Sequence, residues 1–431
     1  MNSFVLKGHV LCSVSQNELA AMENAYLVCE NGLCCGVFDA LPECYAHLPI
    51  QDYGDKLIIP GMVDLHLHAP QYAFRGMSME LELMDWLNRY TFPEEEKYED
   101  LDYARKAYGL FVDGLRSGAT SRACIFATRH REATVLLMDL MEKSGLISYV
   151  GKVNMDREAT PGLEEESAMR SAFDTFGWIN SIRNRFNRTH PILTPRFIPS
   201  CTDQLMAKLR EIQMTYGLPV QSHLSESPGE IDFVHHLRPQ NAFYGEAYND
   251  YDLFGYNDDT GTDVKTVMAH CVWSTAEEVK LMQKNGVFIA HCPASNMNLS
   301  SGIAPIRRYM ECGMRVGLGS DVAGGHSDSI FRAIADAIQV SKMYWRYVDP
   351  NAKAITFPEA FWLATKGGGE FFGKVGTFQS GYEFDAVVLD DSVLPHPQEL
   401  SIIERLERAV YLQLDMRQGV CGKYVGGEKL F

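Results

Sequence analysis

The chain is 431 residues long, 46% apolar and 22% charged, with 39 Lys and Arg against 56 Asp and Glu for a formal net charge of −17. At roughly 150 residues per domain that length suits two or three domains, or one barrel with insertions, and the ordinary composition excludes wholesale disorder. The acidic balance, with no Lys/Arg-rich stripe to offset it, excludes nucleic acid and an anionic membrane surface as partners.

The N-terminus has no uninterrupted apolar core after a basic start, and no apolar run approaches the ~18 residues that span a bilayer. Eleven cysteines, an odd number scattered without a short-spaced framework, fit a reducing compartment. The expected setting is cytoplasmic.

In chain order, the first 60 residues read as short strands, with Asn31-Gly32 supplying the positive φ angles of a tight hairpin. From Pro60-Gly61 apolar strand-like runs alternate with amphipathic stretches. Ala104, Ala107, Tyr108, Phe111, Val112 and Leu115 fall at helical spacing and predict one buried helix face over 103–115. Between Val264 and Cys292 the run VKTVMAHCV predicts a strand, Thr275 with Glu278 a capping box, Asn285-Gly286 a helix stop, and VFIAHC the next strand.

A strand, a helix and a strand in so short a span mean a parallel crossover. Eight such strand candidates lie between 60 and 374, the number that closes a (β/α)8 TIM barrel. The tail after Lys374 returns to strands, so residues 1–59 and 375–431 are expected to share one small β domain around a catalytic barrel at 60–374.

His66 and His68 are i and i+2 on the first barrel strand and point to the same side, where they can share one metal ion. With 13 histidines in the chain, one such pair arises readily by chance, so position must decide. His68, His223, His270 and Asp321 all fall at the C-terminal ends of candidate strands, which in a barrel converge on the catalytic face. Neutral imidazoles plus a carboxylate are the donor set that Zn²⁺ prefers.

Glu226, just past its strand, reads either as a proton shuttle or as a helix-start carboxylate facing the dipole. Arg196 and Phe197 end strand four and Gln71 follows the His-x-His pair. A guanidinium fork, a ring and an amide together suggest a planar, hydrogen-bonding heterocycle.

Other features are set aside. Gly368–Lys374 nearly spells a phosphate loop, but Val375 stands where Ser or Thr would hold Mg²⁺, so the stretch reads as a helix end. His235, His236 and His291 lack a partner at ligand spacing, and His326 reads as a loop residue near the cavity mouth. The segment from Asn249 to Asp263 reads as a lid or a surface loop.

The Pro60-Gly-Met-Val-Asp-Leu-His66-Leu-His68 run resembles the amidohydrolase superfamily, as do the strand-five and strand-six histidines, Ser320-Asp321 and the glycine-spaced run from Gly376 to Leu389. His68-Ala-Pro-Gln71-Tyr, the Trp86–Pro93 segment, Thr194-Pro-Arg-Phe197, Ser222–Glu226 and Ala269-His-Cys271 are similar to its guanine-deaminating branch. The resemblance implies an α/β (β/α)8 barrel, with the terminal strands forming a small β-sandwich.

It further implies one Zn²⁺ per chain held by His66, His68, His223 and Asp321, with His270 as a further ligand or a hydrogen-bond partner. Glu226, Asp321 and His270 would be catalytic. Gln71, Arg196 and Phe197 would bind guanine, with His223, Glu226 and Asp321 also touching it, and the assembly would be a homodimer. Deamination or dechlorination of another aminated heterocycle is the alternative reaction, and a structural relative that has lost the site is the alternative class.

Overall fold

A computed structural model describes residues 3–431. The N-terminal part is built from β1 (Phe4–Ser15), β2 (Glu18–Glu30), β3 (Leu33–Phe38) and β4 (Ile50–Pro60). Asn31 and Gly32, at φ 53° and 82°, make the tight turn that pairs β2 antiparallel with β3, as their sequence predicts.

Parallel strands follow: β5 (Met62–His68), β6 (Thr120–Phe126), β7 (Ile147–Gly151), β8 (Val153–Asn154), β9 (Thr189–Pro191), β10 (Thr194–Pro195), β11 (Val220–Leu224), β12 (Thr266–His270), β13 (Phe288–His291) and β14 (Arg315–Leu318). They run in the orders β5-β6-β7-β9 and β11-β12-β13-β14, with β8 beside β10. A single parallel bridge, Leu193 to Val220, links β11 to the segment just before β10. At the other seam the residues after β14 reach β5, Asp321 N donating to His66 O at 2.8 Å and His68 N to Val322 O at 3.0 Å.

Helices separate these strands, so the fold is mixed α/β with parallel sheets. The helix Leu101–Ser117 starts where the Asp100 side chain accepts from the backbone N–H groups of Asp102 and Tyr103. It buries the apolar face the spacing predicts, Ala104 through Leu115. Each large side chain on that face contributes about 1.5–3 kcal/mol.

The β12–helix–β13 crossover forms as expected, but its capping box is only half made. Thr275 Oγ1 accepts from Glu278 N at 3.1 Å. The buried Glu278 carboxylate turns away, accepting from Ser225 Oγ at 2.8 Å and Gly245 N at 2.6 Å. It serves as a tie between distant segments, a use the local spacing does not reveal. Gly367–Gly369 closes the helical stretch that begins at Phe357, in keeping with a helix end there.

The chain finishes with β15 (Ala386–Leu389), β16 (Val420–Val425) and β17 (Glu428–Lys429). These join the N-terminal strands in one seven-stranded sheet, ordered β17-β16-β15-β4-β1-β2-β3, so both ends of the chain share it. The passage from this sheet into β5 runs through Gly61, where a Cβ would collide with Ser121.

Beside that crossing, the buried Arg122 of β6 donates from Nε to Asp385 Oδ2 at 2.6 Å and from Nη2 to Glu383 Oε2 at 2.7 Å. Asp385 also accepts from Gly426 N at 2.7 Å. Removing one partner of such a buried pair strands the other charge, at a cost of roughly 3–5 kcal/mol. Arg122→Met is expected to lower the melting temperature sharply in a thermal scan. The double variant Arg122→Met/Asp385→Leu should recover part of the loss, because the carboxylate that remains, Glu383, is partly exposed to solvent.

Candidate active site

The side chains predicted to meet at the strand ends do meet. His66 and His68 leave β5 with ring centroids 4.9 Å apart, and His223 from β11 brings its Nε2 to 3.2 Å from His68 Nε2. His270, the last residue of β12, stacks on His223 at 5.4 Å between centroids. Asp321, three residues past β14, places Oδ1 3.1 Å from His66 Nε2 and 3.5 Å from His68 Nε2, and Oδ2 3.7 Å from His270 Nε2. All five side chains are buried.

Hydrogen bonds on the far side of the rings set which nitrogen faces inward. His223 Nδ1 donates to Arg196 O at 2.6 Å, which leaves its Nε2 lone pair to the centre, and His270 Nδ1 meets Asn296 Oδ1 at 2.9 Å, so its Nε2 also faces inward. Burial lowers the pKa of His66 and drives those of His68 and His223 well below the ordinary histidine value, which keeps all three neutral. Burial also acts to lower His270, but the facing carboxylates of Glu226 and Asp321 outweigh it and leave it raised. Asp321 is the reverse: burial acts to raise it, and the histidines around it hold it low and ionised.

A metal ion fits this donor set. Ligand atoms of His66, His68 and Asp321 lie within 4.8 Å of one another, as do those of His66, His223 and His270. His66 Nε2 and His68 Nδ1 are buried without a hydrogen-bond partner. Cys292 lies near His270 and Asp321, but burial raises its thiol pKa well above the ordinary value and keeps it a poor donor.

Glu226 is not a helix-start carboxylate. Ser227 Oγ caps the helix Pro228–Leu237 by accepting from Glu230 N, while Glu226 Oε1 accepts from Ser301 Oγ at 2.8 Å and Oε2 stands 3.4 Å from His270 Nε2. Burial raises its pKa, with Asp321 adding to the rise.

Gln71, Arg196 and Phe197 line the same cavity as His68, His223, Glu226, His270 and Asp321. Leu83, Trp86 and Leu87 also line it. These three were missed as lining residues, although the Trp86–Pro93 segment carried part of the resemblance. Glu95 was missed altogether: in the acidic run Glu94-Glu95-Glu96 it reads as a solvated face, yet it is 1% exposed.

His291 is buried with neither ring nitrogen hydrogen-bonded and lines no part of the cavity, and His326 pairs with Asn298 outside it. The segment 249–263 is a tied surface loop, Asp252 accepting from Arg210, Asn257 and Thr260, and it too stays clear of the cavity.

Ser225, His270, Cys271 and Asp321 have φ between 46° and 73°, a region that residues with side chains seldom adopt. Four such positions at strand ends around one cavity mark stored strain of about 1 kcal/mol or more each. Asp64 helps hold one of them: its Oδ1 accepts from His66 N at 3.2 Å and Ser320 N at 3.0 Å, and its Oδ2 accepts from Ser320 Oγ at 2.5 Å.

Residues 57–419 match the amidohydrolase family. The chain is 38% identical to guanine deaminase of Dictyostelium discoideum over 88% of its own length and 83% of that protein. It is 36% identical to guanine deaminase of Homo sapiens over 87% and 83%. Among solved structures it resembles guanine deaminase from C. acetobutylicum with guanine bound in the active site, with 43% identity, a TM-score of 0.95 and full coverage of both chains.

Asp64→Ala is expected to release the segment carrying Asp321 from β5. Competition with a chelator should show metal affinity falling by about 10–100-fold, the range for supports behind a ligand set, while the circular dichroism spectrum stays near that of the parent.

Proposed function

Because the chain belongs to the amidohydrolase family, we propose that its cavity hydrolyses guanine to xanthine and ammonia, with one zinc ion per chain. The observation that carries this reading is the full-length similarity to a deaminase with guanine bound, joined to a cavity that Gln71, Arg196 and Phe197 line together with the histidine cluster. On this reading the parallel strands close into a (β/α)8 barrel over 60–374, and residues 1–59 with 375–431 form the β-sandwich domain. Support for a sandwich comes from register shifts at Lys7/His9 and Gly8/Val10, where the long strand β1 bends.

His66, His68, His223 and Asp321 would hold the zinc, with His270 a ligand or a neighbour bonded through Nε2. Zinc bound there supplies the Lewis acidity that makes water nucleophilic at neutral pH. Asp321, held ionised by the histidines, accepts the proton that the attacking water loses. Ser301 fixes Glu226 Oε1, which leaves Oε2 to carry a proton to the ring nitrogen beside the amino-bearing carbon.

That transfer keeps negative charge from building on the ring as the water oxygen bonds to C2. The bond from C2 to the amino nitrogen then breaks as the proton taken by Asp321 goes to the leaving nitrogen and ammonia forms, while the hydroxyl proton on C2 passes to Glu226, which leaves a C2 carbonyl and restores the protonated carboxyl. Phe197 offers a face to the flat base, and the apolar side chains Leu83, Trp86 and Leu87 exclude bulk water.

The scattered cysteines and the acidic balance support a cytoplasmic setting, and no helix among the described residues is long and apolar enough to cross a membrane. A homodimer is the expected assembly. The exposed Met169, Phe173 and Phe176 on one helix face offer apolar surface for it.

A panel of guanine, adenine, cytosine and their nucleosides, read by ammonia release, tests the reading. Guanine should turn over and Glu226→Gln should reduce kcat by at least roughly 10²-fold with zinc content unchanged. His68→Ala should lose both zinc and activity. Turnover of adenine or cytosine with none of guanine would overturn the substrate assignment.

A further inference from the structure

Glu95 lies behind the cavity wall and does not line it. Its two oxygens divide between the two polar residues assigned to the base: Oε1 accepts from Gln71 Nε2 at 2.8 Å and Oε2 from Arg196 Nη1 at 2.7 Å. All three side chains are buried, at 1%, 2% and 3% exposure for Glu95, Gln71 and Arg196.

An ionised carboxylate accepts and cannot donate. Paired with a buried guanidinium, Glu95 therefore requires the Gln71 amide to present its NH2 group, and a reversed amide would set two oxygens against each other. The Gln71 carbonyl is taken up on its other side, where Oε1 accepts from Ala323 N at 3.2 Å. What Gln71 has left for the cavity is its second N–H, and Arg196 offers only N–H groups by nature.

We propose that Glu95 is the positioning residue that sets base preference, holding Gln71 and Arg196 as an all-donor wall that takes the oxo-bearing edge of a purine and refuses an amino-bearing one. This rests on the reading of the cavity as a guanine site. Guanine presents two acceptors on that edge, O6 and N7, and both can be met. A 6-aminopurine presents N–H donors at the same place, which would face donors across a dry contact. A site built to hydrogen-bond one group discriminates far more strongly than a shape-based one, because a mismatch leaves buried polar groups unpaired.

The test separates this link from the reading beneath it. On the zinc-loaded enzyme, calorimetry measures binding of hypoxanthine and adenine, which differ at C6 and lack the C2 amino group. Ammonia release compares guanine with 2,6-diaminopurine, which share the C2 amino group. The parent enzyme should favour the 6-oxo member of each pair, and Glu95→Gln, which removes the carboxylate that holds Gln71 Nε2 and the Arg196 guanidinium in place, should reduce both preferences by at least roughly tenfold, mainly through Kd and KM, with zinc content unchanged.

Glu95→Asp keeps the charge but, one methylene shorter, reaches a single partner and should fall between the two; it carries the test should Glu95→Gln fail to fold. Equal loss on both members of each pair would make Glu95 a merely structural support and overturn the proposal. No guanine turnover by the parent, with a hypoxanthine preference that still depends on Glu95, would overturn the guanine assignment and sustain the role of Glu95.

Discussion

The site depends on holding buried imidazoles with their Nε2 atoms facing inward around an ionised carboxylate. Burial keeps His66, His68 and His223 neutral, since a desolvated imidazolium is costly, while facing carboxylates raise His270. Burial does not choose between the two nitrogens of a ring. That choice comes from Arg196 O behind His223 and Asn296 Oδ1 behind His270. Asp321 stays charged because its neighbours are these same rings, so the carboxylate and the histidines each make the other's burial tolerable.

Such a cluster needs a backbone that ends its strands in unusual shapes. Asp321 occupies the left-handed region and donates its N–H to His66 O, which ties the segment after β14 to the strand that carries two of the histidines. His270 and Cys271 do the same after β12, with Cys271 N donating to Leu224 O of β11 at 2.9 Å. The strain is thus spread over bonds between neighbouring strands. The Arg122–Asp385 pair anchors this framework from the opposite side, fixing β6 against the terminal sheet.

Local rules were enough to read much of this from the sequence. A period of two placed His66 and His68 on one side of a strand, helical spacing gave the buried face of Leu101–Ser117, and Asn31-Gly32 marked its hairpin. What local rules could not reach was carried by long-range partners. Glu278 looks like half of a capping box but bonds Ser225, 53 residues away. Glu95 looks like one of three solvated acids, and only the approach of Arg196, 101 residues away, reveals its burial. Asp64 sits in plain view between Pro60 and His66, yet its partner Ser320 is 256 residues distant.

The groups around the cavity fall into two opposite hydrogen-bonding kinds, which is how a chain of net charge −17 would build a site for a neutral base. One kind is lone pairs and carboxylates: the Nε2 atoms, Asp321 and Glu226. The other is the N–H groups of Gln71 and Arg196, whose positive charge Glu95 cancels locally at 2.7 Å. The surface field neither attracts nor repels an uncharged ring. On the proposed reading, the contrast between these two sets of groups would orient a flat heterocycle with an amino-bearing carbon at one end and acceptors at the other, and would bring the carbon to be attacked to Glu226 and Asp321.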